Sequence, residues 1–328
     1  MSMHAIWNPW HGCHKCSPGC QNCYMYFLDK SRGVERDPNE VRRTNAMNYP
    51  LSKNRQRQFK LQSGERISVN MTSDTFVEEA DAWRDEMWSV MRQRPDLIFW
   101  MLTKRPERVL DHLPADWQDG YENVMLNVTM ENQEMFDKRL PILLQIPAKH
   151  KGICIAPIIG PVDVTDALKS GQIEEISVGG ENYDNPRACR YEWVESIAMQ
   201  CRAYHTNFIW YETGTDIWID GLQVHAPSKK IQQQNAFLSG LSRVYKRPAY
   251  KLYSPIDGHL LKENELYQRM YNVHRCMFCS NQYMCNGCAS DCGECYKCVR
   301  LPQDEFLRVQ EQRAKELGWW ANSVQYQH

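Results

Sequence analysis

The sequence predicts an α/β fold: a partial (βα)6 barrel followed by a cysteine-rich, mostly helical and loop C-terminal appendage. Short β-branched or aromatic runs alternate with amphipathic helical stretches, which is the pattern of a parallel sheet with crossover helices. A chain of 328 residues is long enough to bury such a core. The alternation stops after a turn at Asp220-Gly221, which places the barrel in residues 1–224 and a basic, cysteine-rich metal-binding region in residues 225–328.

The first strand is residues 5–8, leading into a cysteine loop. Five more follow at 67–71, 97–102, 124–128, 152–158 and 175–178, with 208–212 as an extra strand. Helices are expected over 77–91, where Trp83, Met87 and Val90 share a face, and over 192–204, where Trp193, Ile197 and Cys201 do. Asp220-Gly221 is a two-residue hairpin turn between 217–219 and 222–224. In a barrel of this kind ligands gather at the carboxyl ends of the strands, so the polar residues there are the candidates for binding.

Composition excludes some classes. At 42 % apolar and 24 % charged, with no apolar run of membrane-spanning length, the chain reads as globular and not membrane-embedded. Residues 1–13 lack an apolar core and a cleavage pattern, and the expectation is a cytoplasmic protein. Its 14 cysteines are then metal ligands rather than a disulfide framework. Cys154, Cys189 and Cys201 are scattered and are assigned to packing. The other eleven fall into two clusters.

The first is Cys13-His-Lys-Cys16-Ser-Pro-Gly-Cys20-Gln-Asn-Cys23. Three thiolates spaced Cys16-x3-Cys20-x2-Cys23 can hold three irons of a [4Fe-4S] cluster and leave the fourth open. An open iron is what S-adenosylmethionine (SAM) chelates through its amino and carboxylate groups. The alternative is a four-cysteine zinc site, but zinc modules separate their cysteine pairs by a dozen or more residues, against three between Cys16 and Cys20.

Four further motifs carry a family likeness: Trp7-Asn8-Pro9, Ser17-Pro18-Gly19-Cys20 through Tyr24, Leu102-Thr103-Lys104-Arg105-Pro106, and Gly179-Gly180-Glu181. With Val128-Thr129-Met130-Glu131-Asn132 and Ile159-Gly160-Pro161 between them, the chain resembles the phage and bacterial radical-SAM-like proteins related to spore photoproduct lyase over about residues 5–235. The resemblance implies a radical-SAM-type barrel, a [4Fe-4S] cluster, SAM as cosubstrate and an electron donor. It also implies ligands spaced Cys13-x6-Cys20-x2-Cys23, whereas the general spacing selects Cys16. Cys20 and Cys23 belong to both sets, and the third ligand is Cys13 or Cys16. Ala156 and Glu212 depart from the family pattern, so substrate detail does not carry over.

At the strand ends, Ser73 and Asp74 can accept hydrogen bonds from the ammonium of SAM. Asp74 can equally cap the helix beginning near Phe76. Asn127 and Glu181 complete the cofactor candidates, Glu181 on the substrate side, with Gly179 and Gly180 allowing close backbone approach. No catalytic residue is assigned.

The second cluster is Cys276, Cys279, Cys285, Cys288, Cys292, Cys295 and Cys298. Cys292-x2-Cys295-x2-Cys298 with Cys288 suits an auxiliary iron–sulfur cluster, while Cys276, Cys279, Cys285 and Cys288 suit zinc equally well. Residues 221–328 hold 14 Lys/Arg against 9 Asp/Glu, and residues 221–256 have no acidic residue. There Lys229, Lys230, Arg243, Lys246, Arg247 and Lys251 interleave with Phe237, Tyr245, Tyr250 and Tyr253. That pattern suits a DNA or RNA substrate, or a solvated basic face whose aromatics pack inward. The functional expectation is a radical SAM enzyme; the competing one is a non-catalytic, metal-stapled nucleic-acid-binding or phage adaptor protein.

Overall fold

A computed structural model describes residues 5–183, 185–246, 248–267, 272–275 and 282–285. Seven strands form one wholly parallel sheet in sequence order: β1 (Ala5–Trp7), β2 (Arg66–Val69), β3 (Ile98–Thr103), β4 (Val124–Thr129), β5 (His150–Ile155), β6 (Glu175–Gly179) and β7 (Asn207–Glu212). The sheet curls into a half-barrel, with helices α1 (Tyr24–Ser31), α2 (Asp81–Gln93), α3 (Gln133–Gln145), α4 (Thr165–Lys169) and α5 (Tyr191–Ala203) in the crossovers. The expected extra strand is thus a full seventh member, paired with β6 from Asn207↔Glu175 onward. Strand β5 starts at His150 and stops at Ile155, short of the expected 158, because Pro157 has no N–H for the ladder.

The two faces of the sheet differ, and the period of two along each strand sets which residue meets which face. Ile67, Val69, Phe99, Met101, Leu126, Val128, Ile153, Ile155, Ile176 and Val178 point outward into one apolar core under the helices. Helix α2 (Asp81–Gln93) adds Met87 and Val90 to that core, and α5 (Tyr191–Ala203) adds Ile197 and Cys201. Inward, toward the lumen, Trp100, Met125 and Cys154 form a separate small cluster with Met71, Leu102, Ala156 and Tyr250 at its margin. All six residues of β4 are buried, as expected of a strand covered on both faces.

After β7 the strands Asp216–Ile219 and Leu222–His225 form the expected hairpin, one residue longer at each end than the sequence reading. Asp220 (φ 51°) and Gly221 (φ 81°) both sit in the left-handed region its two-residue turn requires. Helix α6 (Lys229–Leu238) then runs beside β7. The chain returns along the barrel: Phe208 and Arg243 exchange two backbone bonds of 2.8 Å, and Tyr253 N donates to Pro95 O at 3.1 Å. Asn272–Arg275 and Gln282–Cys285 pair antiparallel, an element absent from the sequence reading. No helix among the described residues is long and apolar enough to cross a membrane.

A buried ion pair ties α2 to the amino end of the barrel. Arg94 donates to Asp96 from Nε (2.8 Å) and Nη2 (2.9 Å), to Leu61 O at 2.8 Å and to Pro50 O, and lies 4.0 Å from the Phe59 ring. Removing one partner leaves an uncompensated buried charge. Arg94→Met should therefore destabilise the protein by about 3–5 kcal/mol, read as a lowered midpoint in urea denaturation.

Candidate functional site

The loop that joins β1 to α1 (Tyr24–Ser31) crosses the carboxyl ends of the strands. Gly12 opens it at φ 95°, where any Cβ would stand 2.5 Å from Glu40 O. Gly12 N donates to Thr72 O (3.1 Å), Cys13 N to Pro38 O (3.1 Å), and Cys20 N to Ser17 O (2.9 Å) in a 3-10 turn over Pro18–Cys20. Ser73 Oγ donates to Gly12 O. Ser73 therefore fastens the start of the loop.

Three buried carboxylates, each beyond the end of a different strand, hold the rest. Asp74, after β2, accepts from Thr103 Oγ1 (2.7 Å), Lys104 N (2.7 Å) and Phe76 N (2.8 Å), and pairs with Arg105 Nη1 at 3.4 Å. Its bond to Phe76 N closes a local turn and caps no helix: the helical segment begins at Glu78 with Val77 at its N-cap, which makes no side-chain capping bond. Arg105 in turn donates to His14 O (2.9 Å) and to Cys13 Sγ (3.8 Å). Glu131, after β4, accepts from Ser17 Oγ and from Arg139 Nη1 (2.8 Å), with Lys104 Nζ 3.7 Å away. A Cβ on Gly19 would stand 2.2 Å from Glu131 Cγ, so glycine lets the loop lie directly on this carboxylate.

Glu181, after β6, accepts from Arg187 Nη2 (2.5 Å), Arg187 Nε (2.9 Å), Arg187 N (2.8 Å) and Asn22 Nδ2 (2.9 Å). Burial alone would raise its carboxyl, but the Arg187 and Asn22 bonds hold it below the usual range. Gly179 and Gly180 make room within the sheet: a Cβ on either would collide with Tyr211 or with Thr213 O. The close approach expected of these glycines is thus to β7 and the turn after it.

The thiols feel this setting. Burial and Asp74 push Cys13 up to about 12 against the opposing pull of Arg105. The contact between Cys16 and Cys20 pushes the Cys16 thiol up and pulls Cys20 down, the latter helped by Lys104 and Ser17. Burial raises Cys23. Burial would also lower Lys104, but Glu131 and Cys20 outweigh it and keep the ammonium charged. Among the described residues no group of three or more His, Cys, Asp or Glu is placed to hold a metal ion.

Asn127 lies deeper than the other candidates. Its Nδ2 donates to Met101 O (3.0 Å) and Met125 O (3.3 Å), and Gly152 leaves space for its Oδ1. At the strand ends Asn70 Oδ1, Thr72 Oγ1 and Thr129 Oγ1 are buried without a partner. Of the second cysteine cluster, Cys276, Cys279, Cys288, Cys292, Cys295 and Cys298 lie outside the described residues, and Cys285 ends the strand Gln282–Cys285. In the basic stretch, Lys229 pairs with Glu212, and Tyr250 turns into the barrel against Met125 and His150. Sequence reasoning missed Asn22, Arg139 and Arg187. Arg139 follows Glu131 by eight residues inside an ordinary helix and Arg187 sits in a loop, so neither carries a local signal.

Because the Glu181 carboxyl is held below its unfolded value, its contribution is complete above the ordinary carboxyl range and is lost as pH falls through the folded value. Amide exchange protection across residues 13–23 should persist from neutral pH to that range and drop below it. In Glu181→Gln protection should be lower by about 1–3 kcal/mol at neutral pH and flat toward acid.

No curated protein and no solved structure matches this chain. A family pattern does match, over residues 2–248, and the chain belongs to that family, described as Protein of unknown function (DUF5131).

Proposed function

We propose that this chain is a radical SAM enzyme whose cluster is held by the loop from Cys13 to Cys23. The observation that carries the reading is the placement of that loop: four thiols in eleven residues, at the carboxyl end of the first strand of a parallel half-barrel. The donor chemistry fits, since thiolate sulfur is the ligand that iron–sulfur clusters take. The unpartnered polar atoms of Asn70, Thr72 and Thr129 suit a polar cosubstrate at the strand ends. When bound and reduced by an electron donor, a [4Fe-4S] cluster supplies one electron to SAM, whose cleavage yields methionine and a 5′-deoxyadenosyl radical that abstracts hydrogen from substrate.

The remaining work falls to this chain. Cys20, Cys23 and either Cys13 or Cys16 hold the cluster, and the Lys104 ammonium and Arg105 guanidinium offset the thiolate charge. Asp74 sets Arg105, and Arg105 sets the backbone at His14, so Asp74 acts through the loop it orients. Ser73 and Glu181 act in the same way at the two ends of the loop. Trp100, Met125 and Cys154 form an apolar patch in the lumen below the loop. A DNA or RNA substrate remains the expectation from charge, although Lys229 and Tyr250 are committed to contacts within the chain.

Anaerobic reconstitution with iron and sulfide, followed by dithionite and SAM, tests the reading. The wild type should release 5′-deoxyadenosine and methionine, Cys20→Ala and Cys23→Ala should neither bind the cluster nor cleave SAM, and just one of Cys13→Ala and Cys16→Ala should fail. A formed cluster that gives no 5′-deoxyadenosine would leave the metal-stapled binding module as the better description.

A further inference from the structure

The lumen holds a second concentration of unpaired polar groups, on the side away from the cysteines. Arg66 begins β2 and shares the inward face with Ser68, since the alternate residues Ile67 and Val69 belong to the outer core. Its guanidinium lies 5.8 Å from the ring of Trp100, which also points inward. Arg66 Nε and Trp100 Nε1 are both buried, and neither has an acceptor. Among the described residues the side chain of Arg66, itself half-buried, makes no ion pair, and its Nε has no partner. Beside them the Tyr250 hydroxyl donates only to the thioether of Met125, a weak acceptor, at 3.3 Å.

Two buried donors with no acceptor, beside a third that has only a thioether, are a costly arrangement unless something supplies one. An arginine cannot shed its proton to escape that cost. Two carboxylates also act on Tyr250: Glu174, paired with His150 at 2.9 Å, and Glu175, which shares the inward face of β6 with Ser177 and has contacts of its own. On β1, Ile6, paired with Ser68, is 55 % exposed while its neighbour Trp7 is fully buried.

We infer that Arg66 and Trp100, with Tyr250, form a binding site in the lumen for the anionic group, phosphate or carboxylate, of a small molecule. Trp100 lies three residues before Thr103, where β3 ends, so the anion sits about 10 Å below the strand ends that carry the cysteine loop. A molecule anchored there presents its other end to the loop. The site stands on the fold and on these side chains alone, whatever the loop carries.

Calorimetric titration of the full chain with inorganic phosphate and, separately, with acetate tests it. SAM and reductant are left out, so the outcome is separate from that of the cleavage assay. One saturable site is expected for at least one anion, with phosphate or acetate identifying which group is preferred. Arg66→Gln should weaken binding by about tenfold or more, and Trp100→Phe, which keeps the ring and loses the donor, by about threefold. Lys169→Gln, at a remote exposed position, should change nothing. Should Arg66→Gln fail to fold by circular dichroism, Arg66→Lys replaces it, since it keeps the charge and loses Nε. Absence of binding by both anions overturns the proposal, as does binding that the Arg66 variant and Trp100→Phe leave unchanged, which marks an adventitious ion only.

Discussion

Asp74 is the group on which the mouth of the barrel turns. A carboxylate almost without solvent must have its lone pairs filled by the protein, and here the fillers come from two strand ends: Phe76 beyond β2, and Thr103, Lys104 and Arg105 at the end of β3 and just beyond it. Satisfying one anion thereby locks two neighbouring crossovers together and aims a guanidinium at the cysteine loop. Arg105 passes the constraint on to Cys13 and to the backbone of His14.

Glu131 and Glu181 repeat the device farther around the half-barrel. Each is buried, and each is bonded to an arginine that follows it in sequence and to a side chain of the loop: Arg139 and Ser17 for one, Arg187 and Asn22 for the other. A loop rich in thiols has little apolar surface to hold it in place. Three satisfied carboxylates supply instead the directional contacts that hydrophobic packing cannot, and they are what a loop that must present sulfur in fixed positions requires.

The lumen follows a different rule from the outer core. Outward residues of the sheet are mostly apolar because helices cover them, whereas inward residues mix Trp100 and Met125 with Arg66, Asn127, Thr129 and Ser177. Polar groups inside a barrel are tolerated only when paired, and several of these are not. Unpaired polarity is concentrated at the strand ends under the loop and around Arg66, which marks the two places where the interior is built for something other than itself.

The sequence by itself determined the strand and helix alternation, the hairpin at Asp220-Gly221 and the position of the cysteine loop after the first strand. Each of these is a local matter of period, turn chemistry or spacing. It also brought Ser73, Asp74, Asn127 and Glu181 to attention as polar residues at or near strand ends. What each of them does was decided by the tertiary structure, because a carboxylate's role depends on which donors reach it. The donors of Glu131 and Glu181 come from an ordinary helix, from a loop after β6 and from a segment more than a hundred residues away. Likewise nothing local sets Arg66 apart from any other arginine at the start of a strand. Its lack of a partner emerges only when the sheet curls and brings Trp100 and Tyr250 alongside it.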